Sequence, residues 1–307
     1  MNTLTNYTAE YCEYCKYRKR LNSKTLKAYR IDLGQYAQFC HGSPDCFSRH
    51  FVDNYITSLH KMYTPKTVKR KIASLKAFFH YLEYREILNT NPFAKLDVRF
   101  REPKLLPKTI PLHTIQTFLS TLYAQKHRTR SEYQFRCCVR DIAVIELLFA
   151  TGIRISELCS LKPSDIDLES GNLLIYGKGA KERILQIGNP EVLSALNLYR
   201  DTFREDIEIC GYFFVNRLRH PLSDQSVRLM INKYARLAGI DQHITPHMFR
   251  HSFATLLLEQ DVDIRYIQKI LGHSSINTTE IYTHVSNVKQ KDILCNRHPR
   301  NLITARN

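Results

Sequence analysis

With 307 residues, 43% of them hydrophobic and 24% charged, the chain is long enough for two modest domains that each bury a core, and its composition is ordinary for a soluble protein. Its formal net charge of +16 is not ordinary. It points to a polyanionic partner, one surrounded by the protein rather than touched by a single patch, because lysine and arginine run along the whole length. Nothing in the sequence offers a membrane span or an apolar anchor, and nine cysteines, an odd count, argue against a disulfide framework.

The chain opens on Met1-Asn-Thr-Leu-Thr, which lacks the basic start and apolar run of a signal peptide, so a cytoplasmic protein with reduced thiols is expected. Cys12-x-x-Cys15, followed by Cys40-His41 and Cys46, has some of the chemistry of a zinc site. The second pair lacks the regular spacing of zinc modules, and no metal is expected. Leu26, Tyr29, Leu33, Tyr36 and Cys40 form an apolar helical stripe after Ser23. A second stripe, Val68, Ile72, Leu75, Phe79 and Leu82, follows Thr64-Pro65, a cap and a first-turn proline, and the two stripes should pack together. Lys66, Lys69, Arg70 and Lys76 fall away from the second stripe, either as solvated charge or as contacts to phosphate.

Asn91-Pro92 closes this helical region. Pro103, Pro107 and Pro111 then punctuate an extended basic connector from Arg101 to Leu112. Ile142, Ile145 and Phe149 make a further helical stripe that stops at Thr151-Gly152, so Arg154 emerges at a helix junction. Glu157 lies one turn on; it either holds Arg154 by a charge-assisted hydrogen bond or forms an exposed pair contributing under about 1 kcal/mol. Asn172-Leu-Leu-Ile-Tyr176 and Arg183-Ile-Leu-Gln-Ile187 read as two strands around a glycine-rich tip carrying Lys178 and Lys181. Lys181 reads as solvated hairpin charge, whereas Lys178, between two glycines, can swing toward a groove or a leaving oxygen.

Pro246 is placed to start a helix running toward Gln260, with His247, Arg250 and Ala254 on one face and Phe249, Phe253 and Leu256 on the other. The apolar stripe is expected to bury and the His/Arg edge to stay open. Ile264, Ile267 and Leu271 mark the next helix, ended by Gly272, which puts His273 in a tight connection; Tyr282 follows about two turns into a helix capped by Ser274-Ser275. Arginine clamps phosphoryl oxygens, histidine moves protons near neutral pH, and a tyrosine hydroxyl attacks phosphorus, so the set suits phosphodiester chemistry.

Arg154, Lys178, His247, Arg250, His273 and Tyr282, in this order and spacing, resemble the active-site set of the tyrosine recombinases, or phage-integrase family. The strings Ala150-Thr-Gly-Ile-Arg-Ile-Ser-Glu-Leu158, Gly177-Lys-Gly-Ala-Lys-Glu-Arg183, His247-Met-Phe-Arg-His-Ser-Phe-Ala-Thr255 and Leu271-Gly-His-Ser274 look especially like Xer-type members. Leu256, Gln260-Asp261 and a long basic stretch from Lys126 to Arg140 depart from that pattern. The resemblance implies a mainly α fold with a small β-hairpin or sheet. It comprises an N-terminal helical core-binding domain (residues 1–100), a linker (101–112) and a C-terminal α+β catalytic domain (113–307), clamped around double-stranded DNA.

The implied activity is site-specific recombination (integration, excision, inversion or dimer resolution) through a 3′-phosphotyrosyl intermediate, with no cofactor and with protomers assembled as a tetramer on paired sites. In that scheme Tyr282 is the nucleophile, Arg154 and Arg250 hold the non-bridging oxygens, His273 donates a further hydrogen bond, His247 is the base and Lys178 the acid for the departing 5′ oxygen. A type IB topoisomerase shares much of this chemistry, and a non-catalytic DNA-binding protein shares the charge. His247-x-x-x-His251 has the spacing of a zinc-protease helix, but Arg250 lies between the histidines and no glutamate follows His247.

Overall fold

Helical periodicity and capping chemistry build most of the chain, which divides into two units, Met1–Lys104 and Leu105–Asn307. The structure, a computed structural model, describes residues 3–101, 107–177 and 182–272. In the first unit the described helices are α1 (Thr3–Tyr17), α2 (Ser23–Cys40), α3 (Arg49–Met62) and α4 (Pro65–Tyr84). The cap of α2 is Asn22; its carboxamide oxygen accepts from the Thr25 N–H at 2.9 Å. Ser48 caps α3 in the same way, accepting from Phe51 N–H at 3.2 Å. Pro65 opens α4 after Thr64, where a missing N–H costs nothing.

The expected stripes meet: Tyr36 of α2 and Phe79 of α4 are edge to face at 5.9 Å, and both are buried with Leu33, Val68, Leu75 and Leu82. Cys15, Cys40 and Cys46 are buried free thiols lining this core, and Cys12 is a buried free thiol too. Burial, with Cys46 beside it, pushes the Cys40 thiol up to about 12, the behaviour of a small packed hydrophobe rather than a reactive group.

Polar chemistry also crosses the α2–α4 interface. Asp32 is buried and accepts hydrogen bonds from Ser74 Oγ at 2.8 Å, from Lys71 Nζ at 3.1 Å and from Arg70. Lys71 is itself buried, bonded to Gln35 and set 4.7 Å from the centre of the Tyr63 ring. Burial raises the Asp32 carboxyl, but the donors Arg70, Ser74 and Lys71 outweigh it and hold the group below the ordinary carboxylate range.

The second unit is built on α5 (Leu112–His127), α6 (Glu132–Thr151) and the short α7 (Ile155–Cys159). A three-stranded antiparallel sheet follows in the order β1 (Ile166–Asp167), β2 (Asn172–Tyr176), β3 (Glu182–Gln186). Then come α8 (Pro190–Thr202), α9 (Arg204–Cys210), α10 (Asp224–Leu237), α11 (Pro246–Glu259) and α12 (Ile264–Leu271). The hairpin sits one residue earlier in its second strand than its pattern predicts, and β1 carries no sequence signal long enough to read. Helix α6 is the centre: Val139 and the run from Asp141 to Leu148 are buried on every side, so α5, α8 and α11 all pack on it. Phe118 of α5 closes the layer, edge to face with Phe249 of α11 at 5.7 Å and Tyr234 of α10 at 6.4 Å. No helix among the described residues is long and apolar enough to cross a membrane.

Replacing Asp32 by alanine strands the buried Lys71 ammonium, so Asp32→Ala is expected to lose about 3–5 kcal/mol of stability by urea unfolding, while Asp32→Asn loses less because a hydrogen-bond acceptor survives. Equal losses in the two variants would show that charge pairing is not what holds this interface.

Candidate active site

Helix α6 stops because Gly152 turns left-handed at φ 59°, its N–H closing on Leu148 O at 3.1 Å. A side chain is excluded there for a second reason: a Cβ would lie 2.6 Å from Phe253 Cδ1 and 3.1 Å from Leu271 Cδ2, so α11 and α12 approach the turn as closely as glycine permits. Two residues on, Arg154 caps α7. Its backbone N–H donates to Glu157 Oε2 at 3.0 Å and its Nη1 to Oε1 at 2.7 Å.

Glu157 is not the exposed partner that spacing alone allowed. Its side chain is 6% exposed and takes a second cation from β3: Arg183 Nη2 donates to Oε2 at 2.7 Å and Nη1 to Oε1 at 3.1 Å. Burial raises the carboxyl, but the Arg183 fork and the backbone and guanidinium of Arg154 prevail and hold it below its ordinary value. One carboxylate therefore receives four N–H donors and stays ionised.

The last carbonyls of α12 collect the arginines. Arg183 Nε donates to Ile270 O at 2.9 Å, Arg250 Nη2 to Leu271 O at 2.6 Å, and Arg154 Nη2 makes a longer contact to Gly272 O at 3.4 Å. These are the unpaired oxygens at the negative end of a helix dipole, which favours cations there. Arg250 Nη1 also donates to Gly152 O at 2.8 Å, tying α11 to the α6–α7 turn. Gly272 caps α12 at φ 63°, and a Cβ would sit 3.0 Å from Arg183 Nη1, so the helix end rests directly on that guanidinium.

The amphipathic reading of α11 needs correction. Arg250 is 4% exposed and Ala254 is fully buried, whereas Phe253 and Leu256, expected inside, are half-buried; Phe249 is inside as expected. The helix is covered on two sides, by the main core through Phe249 and by α12 through Ala254 and Leu258, so its buried arc is wider than one apolar stripe. Carbonyl bonds make burial of the arginine tolerable. His247, one turn before Arg250, is the exposed residue of the pair. His251, on the same side, is half-buried, and burial with His247 and Arg250 nearby pushes its imidazole down to about 4, which leaves it neutral at pH 7.

Thus the tertiary structure brings Arg154 and Arg250 to one helix end and leaves His247 exposed on the same helix as Arg250. Lys178, His273 and Tyr282 lie outside the described residues. On α4, Lys66, Lys69, Arg70 and Lys76 are all exposed, but Arg70 is engaged by Asp32, and the Lys76 ammonium lies 5.8 Å from the centre of the Phe93 ring. Sequence reasoning gave Arg183 no role. The signal that points to it is strand alternation: Arg183 shares the inward side of β3 with buried Leu185, and Ile175 opposite it is buried too.

Residues 122–289 match the phage integrase family, and residues 8–88 match the phage integrase N-terminal SAM-like domain. A tyrosine recombinase of Agathobacter rectalis is 58% identical, the match covering 98% of either chain. Tyrosine recombinase XerD of Listeria innocua is 34% identical over 92% of this chain and 95% of its own. Among solved structures, XerH recombinase in a post-cleavage complex with palindromic difH substrate superposes with a TM-score of 0.73 at 22% identity, covering 93% of this chain and 83% of that one.

Because the folded Glu157 carboxyl ionises below its ordinary value of 4.5, its stabilising contribution is present above that pH and is lost as pH falls through the folded value. His251 acts in a separate window: the unfolded chain takes up its proton first, so stability declines as pH falls from 6.5 toward about 4. Thermal midpoints measured from pH 8 to pH 3 should show both limbs. Glu157→Gln should flatten only the part below 4.5, and a curve unchanged by that substitution would remove the carboxylate from the site's energetics.

Proposed function

The chain belongs to the phage integrase family as a Xer-like tyrosine recombinase, and we propose that Tyr282 is its nucleophile. The tyrosine oxygen attacks the scissile phosphorus, a P–O bond forms to Tyr282, and the 5′ oxygen leaves as a hydroxyl while the 3′ phosphate stays on the protein. The phosphodiester is exchanged rather than hydrolysed, so rejoining needs no outside energy source. Arg154 and Arg250 hold the non-bridging oxygens and offset the charge that builds in the transition state, with His273 adding a hydrogen bond.

A free tyrosine has a pKa of about 10, so its proton must be removed at neutral pH. His247 takes it, and Lys178 supplies one to the departing 5′ oxygen; the reverse reaction exchanges these roles. The observation that carries the reading is the convergence of Arg154 and Arg250 on the last carbonyls of α12, the helix immediately before His273 in the chain, with His247 exposed one turn from Arg250. Two fixed guanidinium groups in one place are what a phosphoryl transition state requires.

The same reading gives residues 1–100 the core-binding role, 101–112 that of a linker and 113–307 catalysis, with Lys66, Lys69 and Lys76 contacting phosphates and Arg70 sharing its charge with Asp32. Double-stranded DNA is the substrate. Exchange between two duplexes calls for a tetramer on paired sites, with residues 285–307 docking on a neighbouring protomer, in the cytoplasm where the DNA is. The Xer-type relatives favour recombination over topoisomerase-style relaxation.

On a library of nicked duplexes, wild-type protein should trap a covalent adduct, and Tyr282→Phe should bind DNA equally well yet trap none. Arg250→Ala and Arg154→Ala should each slow cleavage by about 100-fold or more. Two differently marked duplexes carrying the recovered site should exchange strands; relaxation of supercoils with no exchange would favour the topoisomerase reading, and an undiminished adduct with Tyr282→Phe would move the nucleophile elsewhere.

A further inference from the structure

We infer that Arg183, at the start of β3, is a positioning residue for DNA cleavage: it neutralises Glu157 and braces the end of α12, so that Arg154 and Arg250 stay aimed at the phosphate. The inference rests on the assignment of those two arginines to phosphate binding. Arg183 itself is poorly placed for DNA. All three of its nitrogens are spent inward, Nη1 and Nη2 on the oxygens of Glu157 and Nε on Ile270 O. Arg154, by contrast, commits Nη1 to Glu157 and is 33% exposed.

Two consequences follow from the geometry. Glu157 carries one negative charge and Arg154 one positive charge; as an isolated buried pair they would cancel, and the carboxylate would be drawn to grip Arg154 with both oxygens. With Arg183 occupying both oxygens, only Oε1 meets the Arg154 guanidinium, at 2.7 Å, and the cluster keeps a net positive charge to offer an anion. The second consequence is mechanical. Arg183 Nε anchors Ile270 O, and Gly272 packs against the guanidinium, where a Cβ would sit 3.0 Å from Nη1, so this side chain braces the helix end whose next carbonyls, Leu271 O and Gly272 O, accept from Arg250 and Arg154. Arg183 thus works through Glu157 and the helix end and does not touch the reacting atoms.

The test separates binding from chemistry with full-length protein on a nicked duplex that traps the adduct. Arg183→Gln should leave DNA affinity within about threefold of wild type and slow single-turnover cleavage by about 30-fold or more, with Arg183→Lys recovering part of the rate. In a Glu157→Gln background, where no carboxylate remains to be neutralised, adding Arg183→Gln should cost clearly less than the about 30-fold it costs alone, the remainder reporting the lost brace on Ile270 O. Cleavage within threefold of wild type in Arg183→Gln, a parallel loss of affinity and rate, or a full additional loss in the Glu157→Gln background would each overturn the proposal. Should Arg183→Gln unfold, Arg183→Lys carries the same comparison of rate with affinity. Tyr282→Phe, run alongside, reports separately on the nucleophile, and Arg154→Ala on the phosphate clamp.

Discussion

The second unit depends on one buried carboxylate held between two cations. Glu157 accepts from Arg154 on one side and from Arg183 on the other, and without both it would be an uncompensated charge in a poorly solvated place. Because both partners are also tied to the end of α12, the carboxylate fixes more than itself: it sets how the α6–α7 turn, the β3 strand and α12 meet. Arg250 completes the arrangement from α11 by bridging Gly152 O and Leu271 O. Four segments far apart in the chain thereby share one polar knot.

The first unit uses the same device for a different end. Asp32 sits under Arg70 and Lys71 between α2 and α4, and Ser74 supplies the remaining donor. There the network fixes the packing of two helices whose apolar stripes alone would tolerate some sliding. In both units the charges that look like surface on a helical wheel are partly inside. The net charge of +16 therefore overstates what faces a polyanion: Lys71 and Arg183 are spent on internal oxygens, whereas Lys66, Lys69 and Lys76 stand exposed on α4.

Glycine has a precise part in this economy of space at two positions. Gly152 and Gly272 both adopt left-handed backbone; a Cβ at Gly152 would strike Phe253 at 2.6 Å, and one at Gly272 would press on the Arg183 guanidinium at 3.0 Å. The conformational freedom ends the helices, and the missing side chain lets the arginine-bearing elements close up. A turn that satisfied only the backbone requirement could use asparagine; at Gly152 the contact with Phe253 removes that option.

Much of this was legible in the residues. The stripes of α2, α4, α6 and α12, the glycine stops, the proline start of α11 and the hairpin within one residue all follow from local periodicity and capping, which act over a few neighbours and so are written in order along the chain. Arg154, His247 and Arg250 could be singled out as candidates for the same reason, since residue type and spacing are sequence properties. What periodicity could not give was which side of α11 would be covered, because that depends on α12 arriving from elsewhere, and it put Arg250 on the open edge when two backbone carbonyls from distant segments draw it inside. Nor could it give Arg183 a purpose: its partners are Glu157, 26 positions earlier, and Ile270, 87 positions later. Local rules decide what a segment becomes, and only the assembled fold decides where a charged side chain finds its counter-charge.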